Sequence, residues 1–413
     1  MGQVLVIVGA IAVTLPGMYL RLSATVVDPL TAAAIDGLAV VGAAFLLSWA
    51  AEVAQRDIPR SLALTILALI AVLPEYAVDM YLASRAAGDP ATYGPLALVN
   101  MTGANRLLIG LGWPMVTLVY WWRARRAGTQ VTGITIDPDQ GVDLSFLGLA
   151  TLYSFVIPIK GTLSVIDLVV LVSIFGLYAG RAAKAGHVEP DLIGPARVIG
   201  RLSNGPRRLI TVLFFLIAGT AIFLVAEPFA ESLIAAGVAL GLDRRTLVQW
   251  LAPLASEAPE FIITALFAWR LLGAAGLGAL VSSKVNQWTL LVGTIPLVFN
   301  LASYVIGKPI PVALQLDQVQ QDDLLVTLAQ SAFAVAVLLG LQLSLREAGL
   351  LAGLFLVHFF VPDAHMAITI SYLLLSLTFA FRHRVQIVNL LRGARGRETI
   401  ANREGGSCGL PRG

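Results

Sequence analysis

Two short stretches, Leu73-Pro74-Glu75 and Ala258-Pro259-Glu260, each set a proline and a glutamate inside an otherwise apolar helical run. A carboxylate at mid-bilayer depth is costly unless it faces a partner or a wet cavity, so a chain that keeps two is expected to use them. Proline cannot donate to the carbonyl four residues back. The carbonyls of Ile70 and Ala255 are therefore expected to lose helical partners beside the two acids. Broken backbone next to a carboxylate is a cation site in outline.

The rest of the chain supplies the membrane that such a site requires. Apolar residues make up 57% of the 413 and charged residues 13%, with a mean hydropathy of +0.82. No water-soluble domain of this length carries such a surface, so the chain reads as an all-α polytopic membrane protein. Runs long enough to cross about 30 Å of hydrocarbon, or nearly so, fall near 3–20, 30–51, 61–84, 94–122, 143–159, 163–180, 209–233, 246–269, 274–304, 322–344, 347–361 and 365–381, about 12 in all. Only Val361-Pro362-Asp363-Ala364 separates the last two, which allows one long hairpin or a re-entrant pair. The single cysteine, Cys408, leaves neither a disulfide framework nor a thiolate metal site.

Arginine sets the expected orientation, because positive loops stay in the cytoplasm. Loops of one parity hold Arg56 and Arg60, then Arg123, Arg125 and Arg126, then the cluster from Arg181 to Arg208, then Arg270 and Arg346. Loops of the other parity are poorer in positive charge, Arg244 and Arg245 excepted, and include the acidic stretch Asp317 to Asp323. Both termini are thus expected in the cytoplasm of a cell (plasma) membrane protein. A net charge of +3 so distributed speaks for anionic lipid and not for nucleic acid.

The two Pro-Glu segments also sit in similar company. Val99-Asn100-Met101-Thr102-Gly103-Ala104-Asn105 follows the first, and Gly278-Ala279-Leu280-Val281-Ser282-Ser283-Lys284 follows the second. Five helices in 30–180 would pair with five in 209–361, and an odd number makes the second copy enter from the opposite side. The expected organisation is an extra N-terminal helix in 1–29, a first repeat in 30–180, a cytoplasmic linker in 181–208, a second repeat in 209–361, an extra C-terminal helix in 362–382 and a basic tail in 383–413.

At these residues the chain resembles the sodium/calcium exchanger (cation/calcium antiporter) family, as a divergent prokaryotic-type member. Each inverted repeat of that family carries Gly-Thr-Ser-x-Pro-Glu followed by Gly-Asn-x-x-Gly-Ser-Asn, and about residues 30–361 can be laid on its pattern. The resemblance implies that Glu75 and Glu260 hold the transported metal cation. Where the family has Thr-Ser, this chain has Ala71-Val72 and Ser256-Glu257. Lys284 replaces the asparagine after Gly-Ser, Arg106 follows Asn105, and Leu108 and Gln287 stand at family Asn or Asp positions. These departures argue against the full calcium-plus-three-sodium ligand set.

Beside the glutamates, Asn100, Asn105, Ser256, Ser283, Asn286 and Gln287 offer neutral oxygens suited to a hard cation, or serve as helix-packing glue. Asp79, one helical turn beyond Glu75, and Glu257, three residues before Glu260, are candidates for proton or charge coupling together with Lys284. The competing reading pairs Asp79 with Arg85 and Glu257 with Lys284. His358 reads as a packed or interfacial histidine.

The activity that the resemblance implies is secondary antiport of Ca²⁺ or Na⁺ against H⁺ or Na⁺ by alternating access. A second reading is a non-transporting scaffold or sensor whose carboxylates Lys284 and Arg106 neutralise. A third is a transporter of an anionic or zwitterionic solute held by Lys284. With no cofactor motif, nucleotide loop or nucleophile triad, neither an enzyme nor a cofactor is expected. The expected partners are the lipid bilayer and inorganic cations.

Overall fold

The computed structural model describes residues 2–23, 25, 27–57, 72–136, 141–182, 192–239, 241, 257, 260–261, 264–265 and 267–384. Ser256, the carbonyls of Ile70 and Ala255, Arg244 and Arg245, and the tail beyond 384 lie outside these residues.

In chain order the helices are α1 (Gly2–Ser23), α2 (Pro29–Ala54), α3 (Leu73–Gly88), α4 (Pro90–Leu107) and α5 (Trp113–Arg126). They continue with α6 (Gly141–Ser154), α7 (Val156–Lys160), α8 (Val165–Ala182), α9 (Gly194–Gly200) and α10 (Asn204–Ala239). The last five are α11 (Gly273–Asn286), α12 (Val292–Val305), α13 (Gln318–Leu338), α14 (Leu345–Phe360) and α15 (His365–Arg382). Among the described residues, 8 helical stretches are long and apolar enough to cross a membrane. The expected spans at 61–84 and 246–269 are only partly described. The pair at the C-terminal end forms two separate helices, α14 and α15, joined by one turn at Pro362–Ala364.

Local chemistry explains where the elements begin. Asp28 accepts the amide of Thr31 at 3.0 Å and caps α2 ahead of Pro29. Asp89 follows the last turn of α3 and caps α4 through the amide of Thr92 at 3.2 Å. The side-chain and backbone bonds from Thr92 hold its carboxyl below the ordinary carboxylate range. Pro74 opens α3 and does not interrupt it. It sits in the first turn, where a missing N–H costs nothing, and Tyr76 N bonds the carbonyl of Val72 at 3.0 Å.

The fold's main irregularity comes as a matched pair. Helices α4 and α5 are joined without a loop by a π-turn, Leu108–Gly112, and α11 and α12 by another, Gln287–Leu291. A π-turn inserts one residue into an α-helix and is frequent at functional positions. Aligning the two π-turns pairs Leu108 with Gln287 and Asn105 with Lys284, which is the register of the sequence repeat.

Two short ribbons tie one repeat to the other. Strand β1 (Gly133–Thr135) pairs antiparallel with β4 (Gln342–Ser344), and β2 (Thr162–Leu163) with β3 (Leu314–Gln315). Each joins a loop of the first repeat to a loop of the second, one at either end of the helices: the loop after α5 pairs with the loop after α13, and the loop after α7 with the loop after α12, so inverted symmetry exchanges the two ribbons. Gly133 is needed there, since a Cβ would stand 2.2 Å from the carbonyl oxygen of Leu343.

The ends of the helices define two faces. Arg56 donates to the carbonyl of Gly200, and Asp57 is held by Arg207 at 3.0 Å and Arg208 at 2.8 Å, so α9 and the start of α10 are fastened to the end of α2. Part of the expected linker is therefore packed helix, with Leu192, Ile193, Ala196 and Ile199 buried. Arg270 acts on Glu52 from the same side, Gly273 meets Tyr120 and Ile134, and Gly340 meets His383. The far ends carry Gly88–Pro90 and the β2–β3 ribbon, with Lys308 Nζ on the carbonyl of Ala87 at 2.6 Å. Alternation of the helices between these faces brings Gly2 and Arg382 to the arginine-rich one.

Candidate functional site

Helix α3 starts in the middle of the fold, so Glu75 in its first turn lies far from both faces and is buried to 1% exposure. Glu257 and Glu260 enter from the second repeat and are buried to 2% and 6%. The first residue of the second π-turn brings the repeats together. The Nε2 of Gln287 donates to Glu75 Oε2 at 2.9 Å and to Glu257 Oε1 at 2.7 Å. Ser283, one turn earlier on α11, donates to Glu260 Oε1 at 2.9 Å. Glu75 is also within electrostatic reach of Asp79 and Glu260.

Around this centre the neutral donors divide. Asn100 Nδ2 donates to Asp79 Oδ1 at 2.6 Å, and both residues are fully buried. Asp79 thus pairs with an amide on α4 and not with Arg85, whose partner is Glu231 at 3.7 Å. Asn286 accepts the hydroxyl of Tyr76 at 3.1 Å. Asn105 Oδ1 accepts from Lys284 Nζ, while its Nδ2 donates to the carbonyl of Met101 at 2.8 Å. The equivalent residues of the two repeats thus bond to each other.

Both basic residues depart from the reading that has them neutralise the glutamates. Lys284 Nζ lies on Asn105, on that residue's carbonyl at 3.3 Å and over the Trp288 ring at 5.6 Å. Its charge reaches Glu75, Glu257 and Glu260, but among the described residues none of the three forms an ion pair with it. Arg106 points the other way, into α13, where Nη1 meets Asp323 Oδ1 at 3.3 Å. Successive side chains project about 100° apart around a helix, so neighbours such as Asn105 and Arg106 serve different sides. His358 is buried and stacks edge-on against His365 with ring centres 5.1 Å apart, outside the carboxylate cluster.

Several acceptors in the cluster have no hydrogen-bond donor among the described residues: Glu75 Oε1, Asp79 Oδ2, Asn100 Oδ1, Glu257 Oε2, Glu260 Oε2 and Gln287 Oε1. Buried acceptors left unmatched are costly, and those here converge from both repeats. Oxygen donors of carboxylate and amide type, without sulfur or imidazole, suit a hard cation. Sequence reasoning missed the bridging by Gln287 and the Asn105–Lys284 bond. Both depend on the π-turns, for which the sequence offers no composition signal.

A helical membrane protein with inverted repeats tied by ribbons and a buried carboxylate cluster between them belongs to the class of secondary transporters. The family described as sodium/calcium exchanger protein matches residues 30–183 and 210–362. The chain belongs to that family and is a transporter, not an enzyme. A crystal structure of the H⁺/Ca²⁺ exchanger CAX is 39% identical, with 97% of this chain and 99% of that chain covered and a TM-score of 0.91. Structures of the sodium-calcium exchanger NCX_Mj share the fold. One soaked with 2.5 mM Na⁺ and 1 mM Sr²⁺ has 19% identity, 81% and 98% coverage and a TM-score of 0.54. Another, soaked with 2.5 mM Na⁺ and 0.1 mM Ca²⁺, has 18% identity, 79% and 96% coverage and a TM-score of 0.53. No match is found among curated protein sequences.

Proposed function

We propose that this chain exchanges Ca²⁺ for H⁺ across a cell membrane by alternating access, with its arginine-rich face in the cytoplasm and Glu75 and Glu260 as the principal cation ligands. One observation carries the reading: Gln287 holds Glu75 and Glu257 together while each keeps a second oxygen without a donor among the described residues. Three buried carboxyl groups, Glu75, Glu257 and Glu260, face one ammonium, Lys284. Such a cluster is electrically balanced by a divalent cation or by protons, and these compete for the same oxygens. Competition is the exchange mechanism, since the loaded forms are neutral enough to cross and the bare form is not. The 39% identity with an H⁺/Ca²⁺ exchanger favours the proton as counter-ion. So does Lys284, which stands where the family has asparagine and brings an amine among the carboxyl groups.

The test is Ca²⁺ flux in proteoliposomes under an imposed pH gradient, with Na⁺ absent and then present. Uptake should follow the pH gradient and be indifferent to Na⁺. Glu75→Gln and Glu260→Gln should each reduce it by at least about 100-fold while the protein remains monodisperse, because an amide removes the charge over which cation and proton compete. Flux that follows a sodium gradient, or survives either substitution, would overturn the reading.

A further inference from the structure

The repeats are symmetric in their central glutamates but not in the acids beside them. Helix α3 runs from the middle of the fold to Gly88, so Asp79 lies about 6 Å from Glu75 toward the face of Gly88–Pro90. The second Pro-Glu segment runs the other way. Helix α10 ends near that same face, where Glu231 accepts from Tyr81 of α3, and Arg270 lies at the arginine-rich face. Glu257, three residues before Glu260, therefore stands on the Gly88 side of it as well. Inverted symmetry would place the counterparts of Asp79 and Glu257 on the arginine-rich side, at Thr264 and Val72. Neither is an acid. Val72 is buried and apolar, and Thr264 spends its hydroxyl on the carbonyl of Glu260 at 2.6 Å. The same bias holds for neutral oxygens: Asn100 has Ala279 as its counterpart in the register of the π-turns.

A second observation marks the one-sided layer as a place for a ligand. Asn100 gives its Nδ2 to Asp79, which aims its Oδ1 beside the carboxyl, and that oxygen is buried without a hydrogen-bond partner among the described residues. The free Asp79 Oδ2 and Glu257 Oε2 add two more hard donors. We infer that Asp79, Asn100 and Glu257 form an outer divalent-cation relay on the Gly88 side only, through which Ca²⁺ passes between the central glutamates and that face. The inference rests on the proposed Ca²⁺ reading of Glu75 and Glu260. It adds that the two faces of the exchanger have unlike affinities, because only one path to the centre is lined with ligands.

The test uses the full-length protein in right-side-out and inverted membrane vesicles, with ⁴⁵Ca²⁺ uptake started from each face separately. Asp79→Asn keeps the shape and the bond to Asn100, and Asn100→Ala removes a neutral ligand without touching any charge. Each should raise the half-saturating Ca²⁺ about tenfold for entry at the Gly88 face and leave entry at the arginine-rich face within about twofold. If Asp79→Asn fails to accumulate as folded protein, the Asn100→Ala result decides alone. Equal shifts from both faces would assign these residues to the central site, and no shift from either would make them structural; both outcomes overturn the relay. Glu75→Gln in the same assay separates this from the reading it rests on. Uptake that persists in Glu75→Gln defeats the central assignment, whatever Asp79→Asn does.

Discussion

Lys284 carries the sharpest chemistry in the chain, because it puts an ammonium where its family places an asparagine. The charge is fully buried and anchored on Asn105, at the equivalent position of the other repeat, and it acts on three carboxyl groups without joining any of them in an ion pair. An ammonium in that position does part of what a mobile cation would do, so removing it should leave a place for Na⁺ to fill. Lys284→Asn is expected to make transport responsive to Na⁺ and to flatten its pH profile, measured as Ca²⁺ flux over a pH series with and without Na⁺. An unchanged ion preference and profile would reduce Lys284 to a tie between repeats. The residue's importance was legible in the sequence as a departure from a motif, and so was that of Glu75 and Glu260. Its partner was not. Sequence spacing put Lys284 near Glu257 and Arg106 near Glu75, but the direction in which a long side chain leaves its helix is set by neighbouring helices, which no local pattern reports.

The elements were legible where hydropathy alone decides them and obscure where hydrogen bonding does. The run at 94–122 reads as one span and lies within one continuous helical run, but its π-turn at Leu108–Gly112 follows from packing against a later helix. At Gly110 an added Cβ would stand 2.3 Å from the Phe355 ring of α14, so the turn closes only on glycine. Gly110→Ala should destabilise the protein by about 1–3 kcal/mol through overpacking. Adding Phe355→Ala should cost less in that background than in the wild type, read as melting temperatures in a double-mutant cycle. Additive losses would show that the contact does not shape the turn. The junction of α2 with α10 is tested by pH. Burial works against the charge of Asp57, but the guanidinium groups of Arg208 and Arg207 outweigh it and hold the carboxyl below its ordinary value of 3.8. A depressed carboxyl contributes stability above its unfolded pKa and loses it as pH falls through the folded value. Asp57→Asn should therefore cost about 1 kcal/mol at pH 7 and progressively less below about pH 4, by thermal melts across that range. A gap that does not narrow in acid would assign the effect to something other than the ion pair.

At the scale of the molecule the pairing of loops says which parts can move. The β1–β4 and β2–β3 ribbons bond the two repeats through the backbone, one at each end of the helices, and the largest buried apolar cluster runs through the same body. Helices α2, α9 and α10 gather a separate cluster with residues such as Leu46, Leu47, Phe214 and Ile222. Their contact with α3 and α4 is a smaller patch in which Ala33, Ala39, Ala97 and Ala236 alternate with larger residues such as Leu82, Leu96 and Phe229. Small residues leave less side-chain packing to undo, and of the three buried clusters this one resists sliding least. If access alternates, the α2–α10 unit is thus the part expected to shift against a body whose ribbons stay closed. The register pairs Thr135 with Gln342 in β1–β4, and the chain has a single cysteine, Cys408, to replace beforehand. A disulfide between Thr135→Cys and Gln342→Cys should form under mild oxidation, because antiparallel partners lie within its Cα range. Ca²⁺ flux of the oxidised protein is then expected to stay within about twofold of the reduced form, since the cross-link only reinforces a pairing that the cycle never opens. Flux that stops on oxidation and returns on reduction would show that the repeats separate at the ribbon, and the moving seam would have to be sought between them.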